Sequence, residues 1–273
     1  MQAKLDSKRF GPWALITGAS SGIGREFARQ IAASHINVVL VARRQGLLDV
    51  LGVELSRDFG VKHRVTVADL SVEGFITGLA EATRDLDVGL VISNAGSANP
   101  GRFTDKDREE LAMTLRLSAL AHAELALHFG RKLAKRGSGG ILLVGAMGAD
   151  TGAPFMAHDG GAKAYVQSLG LALHEEFKPG GVYVTVLPPG PTDTPVLAKF
   201  RLDPKTMPMK PMQVDQAVTE GLNALAANRA IIIPGRMNRI MRAIAPASLR
   251  RSVMAKMFAK MPVIAKPPPR SGE

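Results

Sequence analysis

A run of eight residues, Thr17-Gly18-Ala19-Ser20-Ser21-Gly22-Ile23-Gly24, limits what this chain can fold into more than any other feature. It follows an apolar, β-rich segment, Trp13–Thr17, and opens an amphipathic stretch that reaches about Ser34. That is the pattern of a strand, a tight turn and a helix. The glycines let the backbone turn sharply and approach a pyrophosphate, while the first N–H groups of the helix and its dipole point at the same place. The alternation then repeats. Strands are expected at 37–41, 64–68, 88–93, 141–144, 182–187 and 230–233, separated by helices at 45–59, 72–84, 105–136, 158–177 and 214–227. The strands are near-continuous Val, Ile and Leu, which marks a parallel sheet covered on both faces. The fold class is therefore α/β, a doubly wound parallel sheet of about seven strands with a C-terminal amphipathic helical extension. Its ligand is expected outside the carboxyl ends of the strands, near the point where strand order reverses.

Composition narrows the partners. Of a net charge of +11, residues 236–273 carry nine Lys/Arg against one acid, Glu273, so the first 235 residues hold only +3. The expected organisation is a nucleotide-binding domain over 1–235 and a basic tail over 236–273. Charge confined to a tail, with no zinc-finger, homeodomain or RNP pattern, argues against nucleic acid. The chain has no cysteine, which excludes a disulfide scaffold, a thiolate nucleophile and a Cys-based zinc site, and its histidines show no metal-ligand spacing. Met1–Trp13 is mixed and polar, and the apolar runs are of strand length, so the sequence reads as a cytoplasmic protein.

Three further motifs fall in order along the chain: Asp69-Leu70 after the third strand, Asn94-Ala95-Gly96 after the fourth, and Pro189-Gly190-Pro191-Thr192-Asp193-Thr194 after the sixth. With the glycine-rich turn they make residues 10–235 resemble the short-chain dehydrogenase/reductase family, whose fold is Rossmann-like. The resemblance implies a cofactor site in which Gly18, Ser20, Ser21, Gly22, Ile23 and Gly24 cradle the pyrophosphate and Asp69, with Leu70, meets the adenine. Asn94, Ala95 and Gly96 would shape the ribose side, while Pro189, Gly190, Thr192 and Thr194 would hold the nicotinamide end. After the second strand stand Ala42-Arg43-Arg44 instead of an acid. An arginine fork suits the 2′-phosphate of NADP(H), so NADP(H) is the expected cofactor; two solvated arginines opening a helix are the plainer reading.

The family's chemistry uses a Ser, a Tyr and a Lys, helped by an Asn on the long helix. Lys163 lies in Gly160-Gly161-Ala162-Lys163-Ala164, which resembles the surroundings of the family's lysine. Four residues earlier, where the resemblance implies tyrosine, stands Asp159; thirteen before that, at the serine position, stands Ala146; Ser118 takes the asparagine's place. Lys163 is expected both to touch the nicotinamide ribose and to remain at the reacting centre. An aspartate with a reference pKa of about 3.9 has no proton to give at neutral pH where a tyrosine of about 10 would. Its side chain is also shorter by a ring. An acid four residues before a lysine is equally a helix-stabilising pair. His158 and Tyr165 are alternative acids, each turned from the required direction.

In the tail, Met237, Ile240, Met241 and Ile244 fall at helical spacing, Pro246 interrupts, and Leu249, Val253, Met257 and Met261 resume it after Ser248 as a cap. Arg239, Arg242, Arg250, Arg251, Lys256 and Lys260 mark the other faces. The tail can touch an anionic membrane surface, cover an apolar substrate, or pack on the body or on a second copy in a homo-oligomer. Lys266–Arg270 is expected to be disordered. Met207, Met209 and Met212 suit an apolar ligand. The sequence thus points to an NADP(H)-binding oxidoreductase with an atypical active site and a bulky, apolar carbonyl or alcohol substrate. A cofactor-binding pseudoenzyme and a redox-neutral dehydratase or isomerase remain the alternatives.

Overall fold

The computed structural model describes residues 3–199 and 210–259. In chain order the elements are α1 (Ser7–Phe10), β1 (Trp13–Thr17), α2 (Gly22–Ala32), β2 (Asn37–Ala42), α3 (Gln45–Phe59), β3 (His63–Val67), α4 (Phe75–Ala82) and β4 (Val88–Ser93). They continue with α5 (Arg108–Leu115), α6 (Ala121–Arg136), β5 (Gly139–Val144), α7 (Ala157–Phe177), β6 (Val182–Leu187), α8 (Pro195–Lys199), α9 (Val214–Ala226), α10 (Arg236–Ile244) and α11 (Ala247–Phe258). The six strands form one parallel sheet in the order β3-β2-β1-β4-β5-β6. The chain works outward from β1 to β3, then crosses back to place β4 on the other side of β1. The crevice between the carboxyl ends of β1 and β4 is the switch point.

Alternate residues of each strand feed two separate cores. On one face Ile16, Leu40, Ile92 and Leu142 meet Phe27 and Ile31 of α2, Leu48 and Leu55 of α3, and Leu222 and Leu225 of α9. On the other, Leu15, Val39, Val91 and Leu143 meet Leu79 of α4, Leu125, Phe129 and Leu133 of α6, and Val166 of α7. A fully buried side chain of this size is worth about 1.5–3 kcal/mol, so the sheet is a rigid platform for the loops at its ends. The polar-looking start of the chain also contributes. Phe10 is buried and packs so closely on Gly140 that a Cβ there would stand 2.8 Å from its ring.

Four details differ from the sequence expectation. Where a seventh strand is expected at 230–233, the sheet gains a single parallel bridge between Val186 and Ile231. Val186 N donates to Ala230 O and Ile232 N to Val186 O, but Asn228 at φ 49° before the segment and Pro234 after it keep the pairing short. Helix 105–136 is divided. Asp107 caps α5 by accepting from Glu110 N at 2.8 Å, and residues Arg116–Leu120 widen into a π turn before α6. The expected helix 72–84 starts only at Phe75, because Gly74 takes a left-handed conformation at φ 78°. In the tail α11 begins at Ala247, with Pro246 at the cap position, so Ser248 lies in the first turn and is not the cap. The expectations for Met207, Met209, Lys260, Met261 and Lys266–Arg270 lie outside the described residues.

Candidate active site

The glycine-rich turn leaves β1 at the switch point. Gly18 sits at φ 69°, and a Cβ there would come within 2.8 Å of Asn94 Nδ2; one on Gly24 would strike the Gly18 carbonyl. The turn is locked to the β4 loop by Thr17. Its Oγ1 accepts from Asn94 N (2.9 Å) and Ala95 N (3.0 Å), and its carbonyl accepts from Asn94 Nδ2 (2.9 Å). The glycines thus let the turn pack tightly against the β4 loop at the N-terminus of α2, whose Ser21 cap spends no side-chain bond on the helix. Thr194 closes the far side, its Cγ2 lying 3.4 Å from where a Cβ of Gly22 would be. The Pro189–Thr194 loop is itself pinned: Met147 N donates to Pro189 O, and Met212 N donates to Pro191 O, both at 2.9 Å.

Arg44 reaches over this turn and donates from one Nη to Ser20 Oγ (2.8 Å) and Ser21 Oγ (2.9 Å). Arg43 faces the other way, toward Asp69 Oδ2 at 3.7 Å, and Asp69 in turn accepts from Ser71 N and Oγ. Leu70 is buried beneath them. The two arginines are thus unequal: one is held by neutral hydroxyls beside the glycines, the other by a carboxylate.

At the chemical end, Lys163 is half-buried. It donates to Val144 O (2.8 Å) and to His122 Nε2 (3.2 Å). Loss of hydration lowers its pKa to about 8, against the opposing charge of Asp159. An ammonium can only donate, so His122 Nε2 is the acceptor and the imidazole proton sits on Nδ1, 2.7 Å from Ser93 Oγ. Burial first, and the Lys163 charge second, hold the His122 pKa well below its ordinary value and keep the ring neutral. Gly96 keeps the space above this pair open. A Cβ there would lie 3.2 Å from Lys163 Nζ and 3.6 Å from Ser118 Oγ.

Asp159 makes no hydrogen bond to Lys163 among the described residues, although its charge acts on the lysine as expected of an acid one turn away. Its Oδ1 accepts from Asn99 N (3.1 Å), and burial raises its pKa while that bond and the Lys106 charge pull it down. Ser118 Oγ accepts from Ser97 N (3.1 Å), fixing the loop after β4. Ala146 contributes its carbonyl, which accepts from Gln167 Nε2 (2.8 Å), and has no side-chain donor. His158 Nε2 lies 2.7 Å from Leu111 O, and Tyr165 is half-exposed. Neither His122 nor Gln167 is singled out by the sequence. The available signal is spacing: His122 is one turn beyond Ser118, and Gln167 one turn beyond Lys163, so each shares its predecessor's helix face.

A sequence model of short-chain dehydrogenases matches residues 12–205. The chain belongs to the short-chain dehydrogenase family. Among its relatives, the very-long-chain 3-oxoacyl-CoA reductase of Neurospora crassa is 38% identical over 179 residues, which cover 64% of this chain and 54% of that protein. The chain thus matches about half the length of that reductase. The 7beta-hydroxysteroid dehydrogenase of Collinsella aerofaciens is 31% identical over 70% of this chain and 72% of its own. Among solved structures, the short-chain dehydrogenase of Sphingobium yanoikuyae in complex with NADPH superposes with a TM-score of 0.79 at 30% identity, covering 89% of this chain and 95% of that one. Among the described residues, no group of three or more His, Asp or Glu could hold a metal.

Proposed function

We propose that this short-chain dehydrogenase is an NADP(H)-dependent reductase of apolar carbonyl substrates in which Lys163 takes over proton delivery. The observation that carries the reading is the half-buried Lys163 ammonium, held by Val144 O and His122 with its pKa lowered to about 8, beside the glycine-rich turn. The residues present fit the nucleotide: only glycine at 18 and 24 lets the turn close on itself and on Asn94, leaving backbone at the α2 N-terminus, and Arg44 offers a fork where a 2′-phosphate would lie. Gly18 to Gly24 and the α2 N-terminus would hold the pyrophosphate, Asp69 and Leu70 the adenine side, and Asn94–Gly96 and Pro189–Thr194 the ribose and nicotinamide side. When bound, the reduced nicotinamide supplies hydride.

The rest falls to the chain. Asp159 stands at the position where the family's tyrosine is expected, and Ala146 at that of its serine. Asp159 accepts the Asn99 amide on one oxygen, and Ala146 has no polar side chain to offer. Lys163 can give a proton to a developing alkoxide because loss of hydration has lowered its pKa to about 8, toward the working pH. His122 and Val144 O hold the ammonium in place from beneath. The two relatives named for 3-oxoacyl and hydroxysteroid substrates support an apolar substrate class.

The test is a panel of apolar ketones, 3-oxoacyl thioesters and oxosteroids, read by loss of NADPH absorbance. Turnover abolished by Lys163→Met supports the reading. NADPH binding without turnover on any substrate would make the chain a cofactor-holding pseudoenzyme, and product formed without NADPH consumption would make it redox-neutral.

The tail is part of this proposal. No helix among the described residues is long and apolar enough to cross a membrane. Met237, Ile240 and Ile244 of α10 nevertheless point outward, between 50% and 70% exposed, on a strongly basic segment. That combination suits peripheral contact with anionic lipid.

A further inference from the structure

The tail helices fold back over the chemical end of the site. Arg242 Nη2 pairs with Asp150 Oδ2 at 2.9 Å, and Arg251 Nη1 donates to Thr151 O at 3.3 Å. Met254 Sδ lies 3.2 Å from where a Cβ of Gly148 would stand. Between tail and body they enclose a cavity of about 210 Å³, with Met147 and Pro191 on the body side and Met241, Leu249, Met254 and Met257 on the tail side. Met147 follows Ala146 directly, and Pro191 belongs to the loop proposed for the nicotinamide end, so the body side of the cavity is built from the loops that follow β5 and β6. Methionines adapt to varied apolar shapes, which suits such a wall.

Two guanidiniums interrupt this apolar lining. Arg242 and Arg250 both border the cavity. Arg242 Nη1 and Arg250 Nε are buried and have no hydrogen-bond partner among the described residues. Arg242 is partly balanced by Asp150, whereas no carboxylate among the described residues lies within ion-pair distance of Arg250. A buried cationic donor left unbonded is costly, and an anion at that point removes the cost.

We propose that the cavity receives a soluble amphipathic anion, its apolar body against the methionines and its carboxylate or phosphate on Arg242 and Arg250. Its meaning as the substrate's site rests on the reductase reading, but its occupancy does not. The substrate class is then an apolar carbonyl compound that also bears an acidic group, distinguished from its neutral analogue by the tail.

The test is calorimetric titration of the full chain, without nucleotide, with monomeric decanoate and with decanol. Decanoate is expected to bind at least about tenfold more tightly than decanol, in keeping with a charge-assisted bond. Arg250→Gln should remove that preference while leaving decanol binding intact, and Arg250→Lys should restore part of it. Met147→Trp, which fills the cavity from the body side, should weaken both ligands. The two Arg250 variants should bind NADPH as the parent does, which reports folding and the cofactor site separately. Equal affinity for decanoate and decanol would overturn the proposal, as would a preference that survives Arg250→Gln. So would Arg250-dependent binding seen with phosphatidylserine vesicles but not with decanoate, since the anion would then be a lipid surface. Absence of turnover with any substrate would sink the reductase reading and leave these binding results standing.

Discussion

Replacing Arg44 with alanine removes the guanidinium that spans Ser20 and Ser21 beside the glycine-rich turn. A hydrogen bond to a charged group contributes about 1.5–3 kcal/mol net. Arg44 is exposed, so solvent screening favours the lower part of that range, about 1.5–2 kcal/mol. That is roughly a ten- to thirtyfold loss of NADPH affinity. NADH lacks the 2′-phosphate and should be bound unchanged. Arg43→Ala provides the internal control. Arg43 already faces Asp69 at 3.7 Å and is 61% exposed in its side chain, so its removal should cost NADPH only about threefold. The assay is titration of each nucleotide into the parent and both variants by calorimetry or nicotinamide fluorescence, at two salt concentrations, because a phosphate contact weakens with ionic strength. An NADPH-to-NADH affinity ratio that is the same in the parent and in Arg44→Ala would refute the assignment of Arg44 to the phosphate. A larger loss in Arg43→Ala would mean that the two arginines exchange roles.

Four more outcomes are expected. Because Lys163 must be protonated to donate and its pKa is about 8, the rate of reduction should be full below that pH and fall as pH rises through it; the reverse oxidation should gain over the same window, and a profile flat from pH 7 to about 9 would exclude Lys163 as the donor. Lys163→Met, which replaces a half-buried ammonium by an apolar chain of similar length, should cost at least about 10²-fold in turnover while leaving the thermal midpoint unchanged or raised. Removal of residues 236–273 should abolish co-sedimentation with anionic vesicles while leaving nucleotide affinity largely intact; an intact chain that ignores such vesicles at low salt would leave α10 and α11 as a cover alone. The combined variant Ser118→Asn, Ala146→Ser, Asp159→Tyr should gain reduction of a generic apolar ketone, and no gain in a folded, NADPH-binding protein would mean that the pocket itself has diverged.

The sequence by itself determined the α/β alternation and the order of its elements. Strand-length Val/Ile/Leu runs can be satisfied only by burial on both sheet faces, and the Gly18–Gly24 turn joins a strand to a helix whatever surrounds it. The two arginines after β2 were legible for the same local reason, since their place is fixed by the strand end. Tertiary structure decided which of them serves the glycines, because Ser20 and Asp69 reach them from different loops. It also truncated the seventh strand to one bridge, because the conformations forced at Asn228 and Pro234 limit pairing with β6. Most of all it decided the chemistry of Lys163. A lysine in a sequence carries an ordinary pKa; desolvation in the fold is what lowers it, while Val144 O and a neutral His122 from a helix forty-one residues away hold the ammonium, and contacts at that range leave no trace in local pattern. The tail's amphipathic spacing was readable, but not the inward turn of Arg242 and Arg250, since a helix face acquires its inside only when the body it packs on is in place.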